Sequence, residues 1–170
     1  SSLLYTRREG TTTRFYQLET VREFARERLA EEGQATSAVE RFIDYYVSLA
    51  EEAYIQLLGT HQATWSTRIA AEQENLRAAL RLAHDTHRSE AGLRIATGTW
   101  RFWWQRGHLR EALGWLETGV AHPDRAPAII RTRALRAAGV LAMGLNDYSR
   151  AHLHLENALV VALDADAIYD

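Results

Sequence analysis

The chain has 170 residues, with 46% hydrophobic and 25% charged, so it is long enough to bury a core and far from disordered or collagen-like compositions. It has no cysteine, and all 20 of its basic side chains are arginine. Disulfides, thiolate nucleophiles, a Walker lysine and a Schiff-base lysine are therefore excluded. A formal net charge of −2 gives no global basic field for nucleic acid. No run approaches the roughly 18 apolar residues of a spanning helix, and no basic-then-apolar leader opens the chain, so a cytoplasmic location without membrane contact is expected.

Leu3-Leu4-Tyr5-Thr6 and Thr13-Arg14-Phe15-Tyr16-Gln17-Leu18 are β-branched and aromatic, with Gly10 between them as turn chemistry, which predicts a β-hairpin. Thr20-Val21-Arg22-Glu23 is a capping box that opens a helix to about Glu32, ended by Gly33. Ser37-Ala38-Val39-Glu40 reads as a second capping box. The helix it opens carries Val39, Phe42, Ile43, Tyr46, Leu49, Ala50, Ala53 and Leu57 on one face and stops at Gly59. A further helix is expected from Ala63 to Thr86, with a break where Glu72 and Gln73 interrupt its stripe. Two helix pairs come next: Leu93–Arg106 with Leu109–Ala121, and Pro127–Leu145 with Tyr148–Leu163, the third of these helices N-capped by Asp124.

The two pairs are similar to each other. Gly107-His108-Leu109-Arg110-Glu111-Ala112 aligns with Leu145-Asn146-Asp147-Tyr148-Ser149-Arg150-Ala151, with one residue of slack in the turn, and Ala112 falls on Ala151 at a period of 39 residues. Gly139, twelve residues before Ala151, stands where a tetratricopeptide unit has a small residue; the first pair has Trp100 there, so its helices should pack further apart. The expected fold is all-α: a tetratricopeptide-like superhelical array of antiparallel helix pairs, preceded by a short β-hairpin.

Catalytic and metal-binding constellations are absent from the pattern. His84 and His87 stand three apart without further converging ligands, and His152 and His154 point in different directions on a helix, so no metal is expected. No nucleophile elbow or phosphate-cradling glycine loop occurs, and Glu31-Glu32 and Glu51-Glu52 read as solvated faces, so no catalytic residue is assigned and no enzyme is expected. Trp100, Phe102, Trp103, Trp104 and Trp115 form an aromatic cluster that could stack a planar small molecule, though aromatics at helical spacing are more often core anchors.

The run from Arg14 to Leu29 (RFYQLETVREFARERL) resembles the end of the winged-helix segment that comes after the nucleotide-binding domain in large bacterial ATPase-type transcriptional regulators of the LuxR-family and antibiotic-regulatory types. Glu74–Leu80, Trp100–Trp103 and Gly107–Glu117 are similar to the helical region downstream of that segment in those proteins. The resemblance implies three segments: residues 1–33 as the end of a winged helix, with the hairpin as its remnant, 34–88 as a connecting helical pair, and 89–170 as two tetratricopeptide-like pairs continuing beyond Asp170. It also implies a non-enzymatic interaction or sensor arm that passes the binding of a partner or ligand to an upstream ATPase switch in the same chain. Nucleotide would be held only by that upstream domain, no cofactor by this segment, and DNA contact is not expected here. The initial Ser-Ser and the helical pattern at Asp170 fit a piece of something longer. An adaptor scaffold unrelated to transcription is the other reading of the repeat.

In tetratricopeptide proteins the first helix of each pair lines the groove. Carried over by position, that gives Arg94, Arg101, Trp104 and Gln105 from the first pair and Arg133, Arg136, Val140 and Met143 from the second. Four arginines on one face would suit a protein partner bearing an acidic peptide segment or a terminal carboxylate. Pairing with neighbouring Glu and Asp is the competing expectation.

Overall fold

The computed structural model describes residues 4–9, 12–17, 35–121 and 126–166. The chain divides into two compact units, Ser1–Arg41 and Phe42–Asp170. In the first, strands β1 (Leu4–Glu9) and β2 (Thr12–Gln17) pair antiparallel, with Leu4 opposite Gln17 and Glu9 opposite Thr12. The helix expected from Thr20 to Glu32 and the cap at Asp124 lie outside the described residues.

Helix α1 spans Ala35–Gln56. It begins two residues before Ser37, so the second capping box does not form a cap. Ser37 lies inside the helix and its hydroxyl accepts a hydrogen bond from Arg41 Nη1 one turn on, at 2.9 Å. Within the second unit, the expected apolar stripe of α1 is buried at Ile43, Tyr46, Leu49, Ala50, Ala53 and Leu57.

The break expected near Glu72 separates α2 (Gln62–Ala71) from α3 (Gln73–Asp85). Its physical role explains why a polar residue interrupts the stripe: the Glu72 carboxylate accepts from Tyr46 Oη at 2.8 Å and from Asn75 Nδ2 at 2.9 Å, tying the break to α1. Burial, aided by Glu72, pushes the Tyr46 phenol well above its ordinary pKa, so it stays a donor.

Helices α4 (Ser89–Gln105) and α5 (Leu109–Val120) form one pair, α6 (Ala128–Gly144) and α7 (Tyr148–Asp166) the next. Short turns force each pair antiparallel. The α3–α4, α4–α5 and α6–α7 turns are built the same way, with His87, Gly107 and Asn146 at φ of 56°, 79° and 61°. In each, the N–H one residue later reaches a carbonyl five residues back: Arg88 to Ala83, His108 to Trp103 and Asp147 to Ala142, at 2.8–3.0 Å. This is the Schellman stop, which needs a left-handed residue and tolerates asparagine there. Gly107 and Asn146 stand 39 residues apart, so the turns superpose without the slack that residue matching alone required.

The core runs along the seams between helices, with Trp103, Phe102, Leu93, Ile95, Leu116 and Leu141 almost wholly buried. Gly139 sits where expected between α6 and α7: a Cβ there would lie 2.7 Å from Leu155 Cγ. Charged ties cross the seams. Arg77 of α3 grips Glu111 of α5 with Nε–Oε1 at 2.6 Å and Nη2–Oε2 at 2.7 Å, and Glu117 of α5 accepts from both Arg150 and His154 of α7. No helix among the described residues is long and apolar enough to cross a membrane.

The Arg77–Glu111 pair sets an acid limit on stability. The guanidinium bonds hold the Glu111 carboxyl below its ordinary pKa, partly opposed by burial. A carboxylate with a depressed folded pKa stabilises fully above its unfolded value, and that contribution is lost as pH falls through the folded value. Glu111→Gln should therefore cost about 1–3 kcal/mol in urea unfolding at neutral pH, and the gap from the parent should close in acid. A pH-independent gap would remove the pair from the stability account.

Candidate functional site

Gly98, in the middle of α4, sets the geometry. A Cβ there would overlap the carbonyl of Ala50, so α1 and α4 meet backbone to backbone at this point. Arg94, Gly98 and Arg101 are spaced i, i+4, i+7 on one face of α4, and that face carries α1 against it. The contact brings Tyr54 of α1 between α4 and α6.

Tyr54 is the centre of an arginine cluster. The guanidinium carbons of Arg101 and Arg133 lie 5.2 Å and 5.1 Å from its ring centroid, and Arg136 Nη2 donates to its hydroxyl at 3.4 Å. Cations over the face of an aromatic ring are held by its quadrupole. Arg101 also lies 4.5 Å from the Trp100 ring, and its Nη1 is buried without a hydrogen-bond partner. Burial lowers the pKa of the Arg101 guanidinium against the pull of Tyr54, and the like charge of Arg136 adds to the lowering. Among the described residues, no carboxylate comes within ion-pair distance of Arg101, Arg133 or Arg136.

Arg94 behaves differently. It binds Glu51 of α1 at 2.6 Å and Glu90 one turn earlier at 2.7 Å, as the competing expectation had it. Of the other positions taken from the repeat, Trp104 packs at the end of α6, where a Cβ on Gly144 would touch its ring at 2.6 Å. Met143 and Gln105 are exposed and Val140 is half-buried. None of these four joins the contacts at Tyr54.

A cavity of about 240 Å³ opens beside the cluster. Its walls include Tyr54, Ile55, Thr97, Gly98, Ile130 and Arg133, with the paired Glu51 and Arg94 at its edge. A larger cleft of about 420 Å³ lies between α1 and the start of α4, but its arginines are already paired: Arg88 with Asp44, and Arg94 with Glu51 and Glu90. The smaller one is lined by Arg133, which has no carboxylate partner among the described residues.

The aromatic cluster gives no comparable surface. Phe102 and Trp103 are almost wholly buried and meet edge to face at 5.1 Å, while Trp104, on the exposed side of the helix, is 38% accessible. Among the described residues there is no group of three His, Asp or Glu placed to hold a metal.

Comparison with known proteins gives one class of relative. An HTH-type transcriptional regulator of Mycobacterium bovis is 34% identical over 137 residues, which cover 78% of this chain and 15% of that protein. The chain is similar to a segment of transcriptional regulators. Proteins of the same designation from two strains of Mycobacterium tuberculosis match over the same 137 residues at the same 34% identity. The chain thus spans about 15% of the length of these relatives. No family model and no solved structure matches it.

Tyr54 and Thr97 were missed by residue spacing alone. Tyr54 comes directly after the buried stripe residue Ala53, at the edge of a helix read as a connector, and the repeat says nothing about a helix outside it. One signal was available. A glycine inside a helix gives up about 1 kcal/mol of propensity against alanine, and Gly98 has its counterpart in the small residue Ala50 of α1.

Proposed function

We propose that the chain is a non-enzymatic interaction arm of a cytoplasmic transcriptional regulator, in which an anionic group on a partner or ligand docks at Arg101, Arg133 and Arg136 around Tyr54. The observation that carries this is the three guanidiniums gathered on one tyrosine with no carboxylate beside them among the described residues. Cations held close to one another gain from an incoming carboxylate, because guanidinium forks bind it bidentately and it relieves their mutual repulsion.

The wider reading rests on three supports: regulators are the relatives, successive helix pairs repeat the same turn at a 39-residue spacing, and the strands β1 and β2 suit the end of a winged helix. On it, the pairs belong to a tetratricopeptide-like superhelix, and an ATPase switch precedes it in the same polypeptide. Occupation of the cluster would favour one arrangement of α1 against α4 and α6, and coupling arises if the switch has different affinity for the two arrangements. No cofactor acts in this segment, and nucleotide belongs to the switch.

Charge reversal tests it. Arg133→Glu with Arg136→Glu, placed in the whole regulator, should reduce the response of a promoter reporter at least tenfold, while the melting temperature of the 170-residue chain stays within about 3 °C, since surface charges contribute little to stability. An unchanged response would overturn the reading.

A further inference from the structure

Among the described residues, Thr97 is the threonine whose buried hydroxyl has no hydrogen-bond partner. Thr67, Thr86, Thr99 and Thr118 each donate to the carbonyl four residues back, at 2.6–3.1 Å. Thr97 has the same option at Leu93 and does not take it. Its side chain is 3% exposed, its hydroxyl has no hydrogen-bond partner, and it lines the cavity beside Tyr54. A buried hydroxyl left unpaired costs about 1–3 kcal/mol, so a polar group on a ligand entering this cavity would recover part of that cost.

The rest of the lining is of two kinds. Ile55, Ile130 and the Tyr54 ring are apolar, and Ile55 is 68% exposed, an uncovered apolar wall at the mouth. Arg133 brings a cation to the same cavity, and Arg101, which does not line it, lies against the same tyrosine ring. Glu51, the one carboxylate of the lining, is held by Arg94 at 2.6 Å, a guanidinium it shares with Glu90, so Arg133 is the cation of the lining without a carboxylate partner. At about 240 Å³ the cavity falls below the roughly 300–1,000 Å³ of sites for drug-sized ligands. It is too small for a folded partner and too apolar for a bare inorganic anion.

We propose that this cavity binds a small organic acid with a compact apolar body: the carboxylate on Arg133 with Arg101 behind it, the body between Ile55, Ile130 and the Tyr54 ring, and the Thr97 hydroxyl donating to the acid. The inference rests on the reading of the arginine cluster as an anion site and names its ligand class. Because the walls come from α1, α4 and α6 together, the acid would bridge all three helices, as an effector that stabilises one arrangement of them must.

The experiment is a titration of the isotopically labelled 170-residue chain, monitored by amide and methyl NMR. The probes are phenylacetate, 3-methylbutanoate, acetate, sulfate, benzyl alcohol and a hexaglutamate peptide. Phenylacetate or 3-methylbutanoate should bind saturably, at least tenfold tighter than acetate or benzyl alcohol, and shift Thr97, Ile55 and Ile130. Arg133→Gln should weaken that binding at least tenfold. Thr97→Val, which keeps the side-chain shape, should weaken it about threefold to tenfold, and Arg110→Gln, on exposed α5 surface, should leave it unchanged. Spectra of the free variants establish that each is folded. If acetate and sulfate bind as tightly as phenylacetate and still depend on Arg133, the organic-acid assignment is overturned while the anion site stands. The organic-acid assignment also falls, and the anion site stands, if hexaglutamate binds through Arg133 and the small acids do not. Binding by none of the anions overturns both.

Discussion

Gly98→Ala should destabilise the protein by about 3 kcal/mol and lower its melting temperature by roughly 6–12 °C, although alanine is the better helix former. Propensity alone favours the substitution by about 1 kcal/mol. Against this stands the Ala50 peptide: the new methyl would overlap its carbonyl oxygen and lie 2.7 Å from the Ala50 Cβ. A backbone carbonyl inside α1 cannot rotate away as a side chain can, so the two helices must separate, and contacts lining the whole seam are lost with them. Gly114→Ala is the matched control. It lies inside α5 with nothing within 4 Å of the added methyl, so propensity decides and the variant should gain up to about 1 kcal/mol. The two substitutions are chemically identical and their expected signs are opposite. Because Gly98 also lines the cavity, Gly98→Ala should abolish binding of an organic acid as Tyr54 moves off α4. A stabilised Gly98→Ala would remove the close approach, and with it the geometry of the site.

How far the site was legible depends on where its parts lie relative to the repeat. Arg94 and Arg133 are 39 residues apart and hold the same place in successive helix pairs, so matching one pair to the other finds them both. Matching cannot say which arginine is already spent: Arg94 is neutralised by Glu51, which lies on α1, forty-three residues away in sequence and outside the repeat. Tyr54 is hidden for the same reason. The helices of the second unit were legible because apolar periodicity and breaks are local. Their ends were less so: α4 starts at Ser89, four residues before the expected Leu93, because Ser89 to Gly92 carry no apolar stripe of their own yet bury Ala91. The turn at Asn146 needed backbone dihedrals, since a left-handed asparagine and a left-handed glycine look unlike as letters and act alike as helix stops.

The second large effect is expected at Trp103, where core and ion pair share one side chain. Trp103 is 1% exposed, and its Nε1 donates to Thr99 Oγ1 at 3.1 Å. Phe102 meets its ring edge on at 5.1 Å and His108 at 5.9 Å. The Arg77 guanidinium lies 5.1 Å from the same ring while it grips Glu111, so the ring is part of the platform on which α3 and α5 are tied. Trp103→Ala removes the ring and leaves a void, a change that costs about 3–5 kcal/mol in a rigid core. Trp104→Ala, one residue on but 38% exposed, should cost less, about 1–3 kcal/mol, because over a third of the residue is already in water. Urea unfolding of the two variants separates them if the slope against denaturant is unchanged. Trp103→Ala should also weaken the dependence of stability on Glu111, so that in the double variant Trp103→Ala with Glu111→Gln the losses sum to less than the separate values. Strict additivity would mean that the ring and the ion pair act independently, and that α3 and α5 are held by the guanidinium fork alone.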